Sequence, residues 1–171
     1  MLSPSNKVRY LRWSLFLIVF LADRALKESL RLVVPPNDPE SSVSLVNGVL
    51  YLYRAEAPYG LLTFLPDFDP LGQRIFTALA VGIFLFFLIL WIRRTPDSQG
   101  GEVNSLILIL SGVASNGVDL VLFGEAMKTL TWQVGLSRSF SLADLAVISG
   151  LCLLVLQRLK RRHMAKDRLT G

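Results

Sequence analysis

The chain has 171 residues, of which 52% are hydrophobic, with a mean hydropathy of +0.49 and a formal net charge of +5. That length suits one domain, and apolar residues this dense and this clustered exclude an ordinary soluble fold. A single cysteine, Cys152, excludes an intramolecular disulfide, and one cysteine with one histidine, His163, argues against a zinc site or a Cys/His nucleophile pair.

The first apolar segment runs from Leu11 to Ala22 behind Lys7, Arg9 and Arg12. It resembles a signal peptide, but "LADRALKES" lacks the small-residue pair of a cleavage site, so an uncleaved first span over about 11–30 is expected. That span is long enough only if its helix continues through the polar end "DRALKESLRL". There Asp23 and Lys27 are four apart with the acid first, the favourable order for a helical pair, and Arg24 and Glu28 repeat the spacing with the signs reversed.

An outer loop, residues 31–72, follows. Prolines 35, 36 and 39 break the helix. Val43 and Leu45 alternate before Asn47-Gly48, and Val49, Tyr51 and Tyr53 alternate after it, which predicts a small β-hairpin. The apolar "GLLTFLPDF" stretch is either a segment lying in the membrane interface or a loop packed on the helix tops.

Three further apolar segments are expected to span the membrane, at about 73–92, 103–123 and 140–157. The loop "GEAMKTLTWQVGLSR" lies between the last two, with Trp132 placed for headgroup level, and a basic tail occupies 158–171. In a four-span arrangement eleven of the eighteen Lys and Arg fall on one side, which makes that side, with both termini, cytoplasmic. This distribution suits a lipid-facing anchor and no nucleic-acid partner. The expected fold class is a mainly α membrane protein: one domain of four transmembrane helices, with a small outer β-hairpin element and an interfacial segment.

Acids inside such segments are costly, at least about 2.5–3.5 kcal/mol each. Asp119 is 17 residues past Glu102 and Asp144 is 14 before Arg158, so both stand roughly 21–25 Å above the inner edge at about 1.5 Å per residue. Asp23 lies lower, roughly 16 Å past the start of the first span. Two depth-matched carboxyls that face each other cannot both ionise freely, and a proton-sharing pair is the machinery of aspartic proteolysis. Depth alone leaves two other readings open, an ion or proton pathway and structural pairing with basic residues.

The motifs resemble those of the type II, or lipoprotein, signal peptidases, four-span bacterial aspartyl proteases that remove the signal peptide from lipid-modified prolipoproteins. Their Asp-Gln-x-Ser/Thr-Lys box is similar to "DRALK", with Asp23 and Lys27. An outer Asn-x-Gly-Ala-Ala-Phe-Gly box is similar to "RAEAPYG", which keeps Ala57 and Gly60. A Gly-Gly-x-x-Gly-Asn-x-x-Asp-Arg box is similar to "SGVASNGVDL", which keeps Gly112, Asn116 and Asp119, and Phe-Asn-x-Ala-Asp is similar to "FSLAD", with Phe140, Ala143 and Asp144.

The resemblance implies Asp119 and Asp144 as a catalytic dyad, with Asn116, Asp23, Lys27, Ser141, Arg54 and Gly60 as binding or supporting residues. It also implies no metal and no cofactor, a lipid-modified prolipoprotein substrate in a bacterial inner membrane, and a monomer among membrane lipids. The chain departs from the family at Arg54 and Glu56, which are placed to pair with each other, at Ser141, and at Leu120, where the family has Arg. Arg138 and Arg54 are the candidates to replace that cation. These departures keep two alternatives open, a non-catalytic or substrate-shifted paralogue that binds lipoproteins or other lipidated ligands, and a proton-linked transport component.

Overall fold

The computed structural model describes residues 4–46, 48–58, 69–96, 99–133 and 138–170. Four helices carry the fold. Helix α1, Pro4–Val33, stops where Pro35 and Pro36 forbid its continuation, and Val34 N–H still donates to Leu30 O at 2.8 Å. Helix α2, Pro70–Arg94, opens with Pro70 behind Asp69, whose side chain caps Gly72 N–H at 3.2 Å, and closes on Arg93 and Arg94. Helix α3, Gly100–Phe123, ends at Gly124, whose φ of 78° is the left-handed conformation of a helix stop. Helix α4 covers Leu142–Thr170.

Among the described residues three helical stretches are long and apolar enough to cross a membrane: Leu71–Arg94, Gly100–Phe123 and Leu142–Arg162. Helix α1 falls outside that measure. Its uncharged run is bounded by Arg12 on one side and by Asp23 and Arg24 on the other.

The expected hairpin is present. Strand β1, Val43–Val46, pairs antiparallel with β2, Leu50–Pro58, and Val49 N–H donates to Val46 O at 3.0 Å across the turn. The loop after α3 differs from the sequence reading. It contains strand β3, Glu125–Trp132, which pairs with β2, and strand β4, Arg138–Phe140, which pairs with β3. The result is one four-stranded antiparallel sheet in the order β1-β2-β3-β4, joining the segment after α1 to the segment after α3. Gly60 and the "GLLTFLPDF" stretch lie outside the described residues.

Helix α3 packs against α1, α2 and α4. Leu88 from α2, Leu106, Ile109 and Leu110 from α3, and Leu154 from α4 form the buried core, and the outward faces of α2 and α4 carry large apolar residues such as Phe84, Phe87 and Leu156. Glycines let α3 and α4 approach closely. A Cβ on Gly112 would overlap the Ala143 carbonyl oxygen, and one on Gly150 would stand 2.7 Å from Ser105 O. At the opposite end from the sheet, buried Glu102 on α3 pairs with Arg158 at 3.2 Å and Arg161 at 2.8 Å on α4. The register of α3 against α4 is thus fixed by packing near one end and by ion pairs at the other.

Candidate active site

The site is built where the sheet-side halves of α1, α3 and α4 meet beneath the sheet. Asp23, fully buried on α1, accepts from Ser115 Oγ of α3 at 2.6 Å and from the backbone N–H of Ala143 at 2.8 Å, in the first turn of α4. One carboxylate therefore ties three helices together. Lys27, one turn on and also fully buried, sets its ammonium 2.7 Å from Asp23 Oδ2, 2.7 Å from Asp119 Oδ2 and 2.9 Å from Asn116 Oδ1. Two carboxylates pair with the ammonium and the Asn116 amide oxygen accepts a hydrogen bond from it, which is how a buried cation is tolerated.

Asp119, fully buried on α3, is held by two more cations from α1. Its Oδ1 accepts from Arg24 Nη1 and from Arg31 Nη2, the latter at 3.1 Å. Glu28 links the same two arginines, accepting from Arg24 Nη2 and from Arg31 Nη1 at 2.8 Å. Residues 24, 28 and 31 share one helix face by their spacing, and Arg31 lies over the Phe123 ring with its guanidinium carbon 3.5 Å from the centroid. Lys27 sits beside Asp119 Oδ2 without hydrogen-bond alignment, so that oxygen has a counter-charge but no aligned donor.

The cations on Asp119 are Arg24, Lys27 and Arg31 of α1, while Arg138 lines the groove with Asp144. Arg54 instead pairs with Glu56, its Nε donating at 2.8 Å, and closes the end of α1 by donating from Nη1 to the carbonyls of Arg31 and Val34, both at 3.1 Å. Charge spacing showed Arg24 within its own helix. Its reach to α3 depends on how α1 packs, and no local pattern encodes that.

Asp144 occupies the third position of α4. Its Oδ2 accepts from Ser141 N–H at 2.9 Å, and Ser141 Oγ accepts from Asp144 N–H at 3.2 Å. This reciprocal pair is a capping box, so Ser141 caps α4 while orienting the acid. Asn116 Nδ2 donates to Asp144 Oδ1 at 2.8 Å. Lys128 Nζ, from β3, donates to both oxygens, at 3.0 Å to Oδ1 and 2.7 Å to Oδ2.

Lys128 lies on strand β3, in a segment whose sequence predicts a loop. The signal was the Met127, Thr129, Thr131 alternation, which puts Lys128 on the other strand face. Leu130 pairs with Phe140, so the continued register sets Lys128 opposite the start of α4. No hydrogen bond joins Asp119 to Asp144 among the described residues. They are linked through Asn116, whose Oδ1 receives Lys27 and whose Nδ2 gives to Asp144.

A groove of about 650 Å³ opens beside this network, lined by Val81 of α2, Val113 and Leu120 of α3, Phe140, and Val147 and Ile148 of α4. Asn116 and Asp144 are polar groups on its wall, with Arg138 also on its lining. An apolar trough with a few converging polar groups is the usual form of a ligand site.

Residues 15–160 match the family model described as signal peptidase (SPase) II. The chain belongs to the signal peptidase II family. Its relatives include a lipoprotein signal peptidase of Xanthomonas euvesicatoria pv. vesicatoria (strain 85-10), 30% identical over 110 residues. That alignment covers 63% of this chain and 63% of the relative, so the match spans under two thirds of that protein's length. A lipoprotein signal peptidase of Shewanella amazonensis (strain ATCC BAA-1098 / SB2B) is 29% identical over 154 residues, covering 88% of each chain. A bacterial membrane enzyme solved by the in meso method at 2.3 Å shares the fold, with a TM-score of 0.72, 20% identity and 87% of each chain covered. Signal peptidase II family members are aspartic peptidases, which makes Asp119 of α3 and Asp144 of α4 the first place to look for chemistry.

Proposed function

We propose that this chain acts on lipid-modified prolipoproteins in a bacterial inner membrane as a signal peptidase II, cutting the signal peptide on the outer side. The observation that carries this reading is the groove, apolar along its length and met by Asp144 and Asn116 at its wall. The signal peptide lies in that trough with its acyl chains in the bilayer, and the scissile bond stands beside Asp144.

In this reading α1 is a fourth span, its charged half turned to the bundle rather than to lipid, and both termini are cytoplasmic. A single copy acts, with no metal or cofactor. Asp144 takes a proton from the attacking water, and Asp119, linked through Asn116 and Lys27, is its buried acidic partner. Asp23, Lys27 and Ser141 hold the two acids in place. Arg54 supports the end of α1, and Gly60 is assigned a supporting role from its place in the motif alone.

One observation favours a second reading. Lys128 is bonded to both oxygens of Asp144, which suits a paralogue that binds lipoproteins without cutting them. The deciding experiment is processing of a purified lipid-modified prolipoprotein in vesicles. Cleavage by the unaltered chain that Asp144→Asn abolishes supports the peptidase. Binding without cleavage supports the paralogue.

A further inference from the structure

The acceptor capacity of Asp144 is full. An ionised carboxylate offers about four lone-pair positions. Here Oδ1 receives Asn116 Nδ2 and Lys128 Nζ, and Oδ2 receives Lys128 Nζ and Ser141 N–H. A general base must keep one acceptor free for the proton it removes. Two of the four bonds come from Lys128 alone, and the other two belong to the capping box and to Asn116.

The charges around the acids fall into two groups. Asp23, Glu28 and Asp119 are balanced by Arg24, Lys27 and Arg31. Asp144 is balanced by Lys128. The first group needs nothing from Lys128, so the lysine serves Asp144 alone. Lys128 also stands where a second carboxyl must stand if Asp144 is to share a proton with a group facing it. Asp119 acts on Asp144 only indirectly, through Lys27 and Asn116.

We infer that Lys128 is a restraining counter-ion on Asp144, which leaves the groove able to hold a lipid-modified signal peptide while slowing its cleavage. The inference rests on the reading that the groove takes such a peptide. Removing the ammonium frees one acceptor on each Asp144 oxygen. An Asp at position 128, shorter than Lys, also brings a second carboxyl to face Asp144 with room for one water between them. The pair then holds one proton between two acids, with one member to take the water proton and the other to donate to the scissile carbonyl.

The test uses the full chain in phospholipid vesicles and a synthetic diacylated prolipoprotein signal peptide carrying a fluorophore. Binding is read by anisotropy, cleavage by mass, and folding by thermal unfolding. The unaltered chain and Lys128→Arg bind the peptide and cleave it slowly. Lys128→Met, which only removes the cation, cleaves faster, and Lys128→Asp gains on the order of 10²-fold. Adding Asp144→Asn to Lys128→Asp removes the gain.

Three results overturn the inference: an unaltered chain that cleaves as fast as Lys128→Met and Lys128→Asp, folded variants that bind but gain nothing, or a gain that survives Asp144→Asn. Absence of binding in every folded variant is a separate result, which defeats the groove's substrate reading and this inference with it.

Discussion

Lys27 and Asp119 form an ion pair of 2.7 Å between α1 and α3, with both side chains fully shielded from solvent. The same ammonium stands 2.7 Å from Asp23, so one lysine lies between two buried carboxylates. Breaking a buried pair by deleting one partner leaves an uncompensated charge, which costs about 3–5 kcal/mol. Lys27→Met is therefore expected to destabilise the chain by about that amount. Thermal unfolding in detergent measures it, and Lys27→Arg, which keeps the charge, loses less.

Asp119 is held by three cations and Asp144 by one, so the two acids respond differently to the same substitution. Asp119→Asn leaves Arg24, Lys27 and Arg31 crowded without their shared carboxylate, and about 3–5 kcal/mol of stability is lost. Asp144→Asn keeps an oxygen for the cap of α4 and costs about 1 kcal/mol. Unfolding midpoints of the two variants, taken side by side, check the contrast.

Arg24 and Arg31 back each other up on Asp119 Oδ1. Loss of either leaves the other in place, so Arg24→Leu and Arg31→Leu each cost about 1–2 kcal/mol. The double substitution costs more than the sum, by about 0.5–3 kcal/mol, because the two share one acceptor and one Glu28. A double-mutant cycle on stability reads the coupling directly.

Packing sets the α3–α4 approach as firmly as charge does. The Cβ of Gly150→Ala would press on Ser105 O and Ile109, both 2.7 Å away, and moving them costs about 1–3 kcal/mol. Gly82, with open space around it, serves as the control: Gly82→Ala is expected to be neutral or stabilising.

Ser141→Ala removes the hydroxyl that accepts from Asp144 N–H and so loosens the first turn of α4, at about 1 kcal/mol. Ser141→Asn retains a capping oxygen and keeps most of that stability. Helix-end protection in hydrogen exchange distinguishes the two.

Elements with a local signature were legible in the sequence. The Asn47-Gly48 hairpin was readable because strand alternation flanks a turn dipeptide, and the three apolar helices because their runs are long. The Asp23–Lys27 pair followed from helical spacing. Strand β3 was hidden because its partner β2 lies some seventy residues earlier, and because Glu125 and Lys128 interrupt its apolar pattern. The site was legible in its acids and in Asn116, which have depth or motif context. Its cations were not, because Arg24, Arg31 and Lys128 reach their acids across tertiary contacts. Lys128 in particular takes its place from the β3–β4 register, which only the folded sheet defines.

A lipid-modified signal peptide in the groove between α3 and α4 has its cleavage site at Asp144 in the proposed function. Site-specific photocross-linking in vesicles tests this placement most directly. A photoreactive residue at Ile148, on the groove wall, is compared with one at Leu153, exposed on α4 away from that wall. Capture of a diacylated prolipoprotein signal peptide from position 148 and not from 153 is expected. Equal capture from both, or capture from 153 alone, would contradict it.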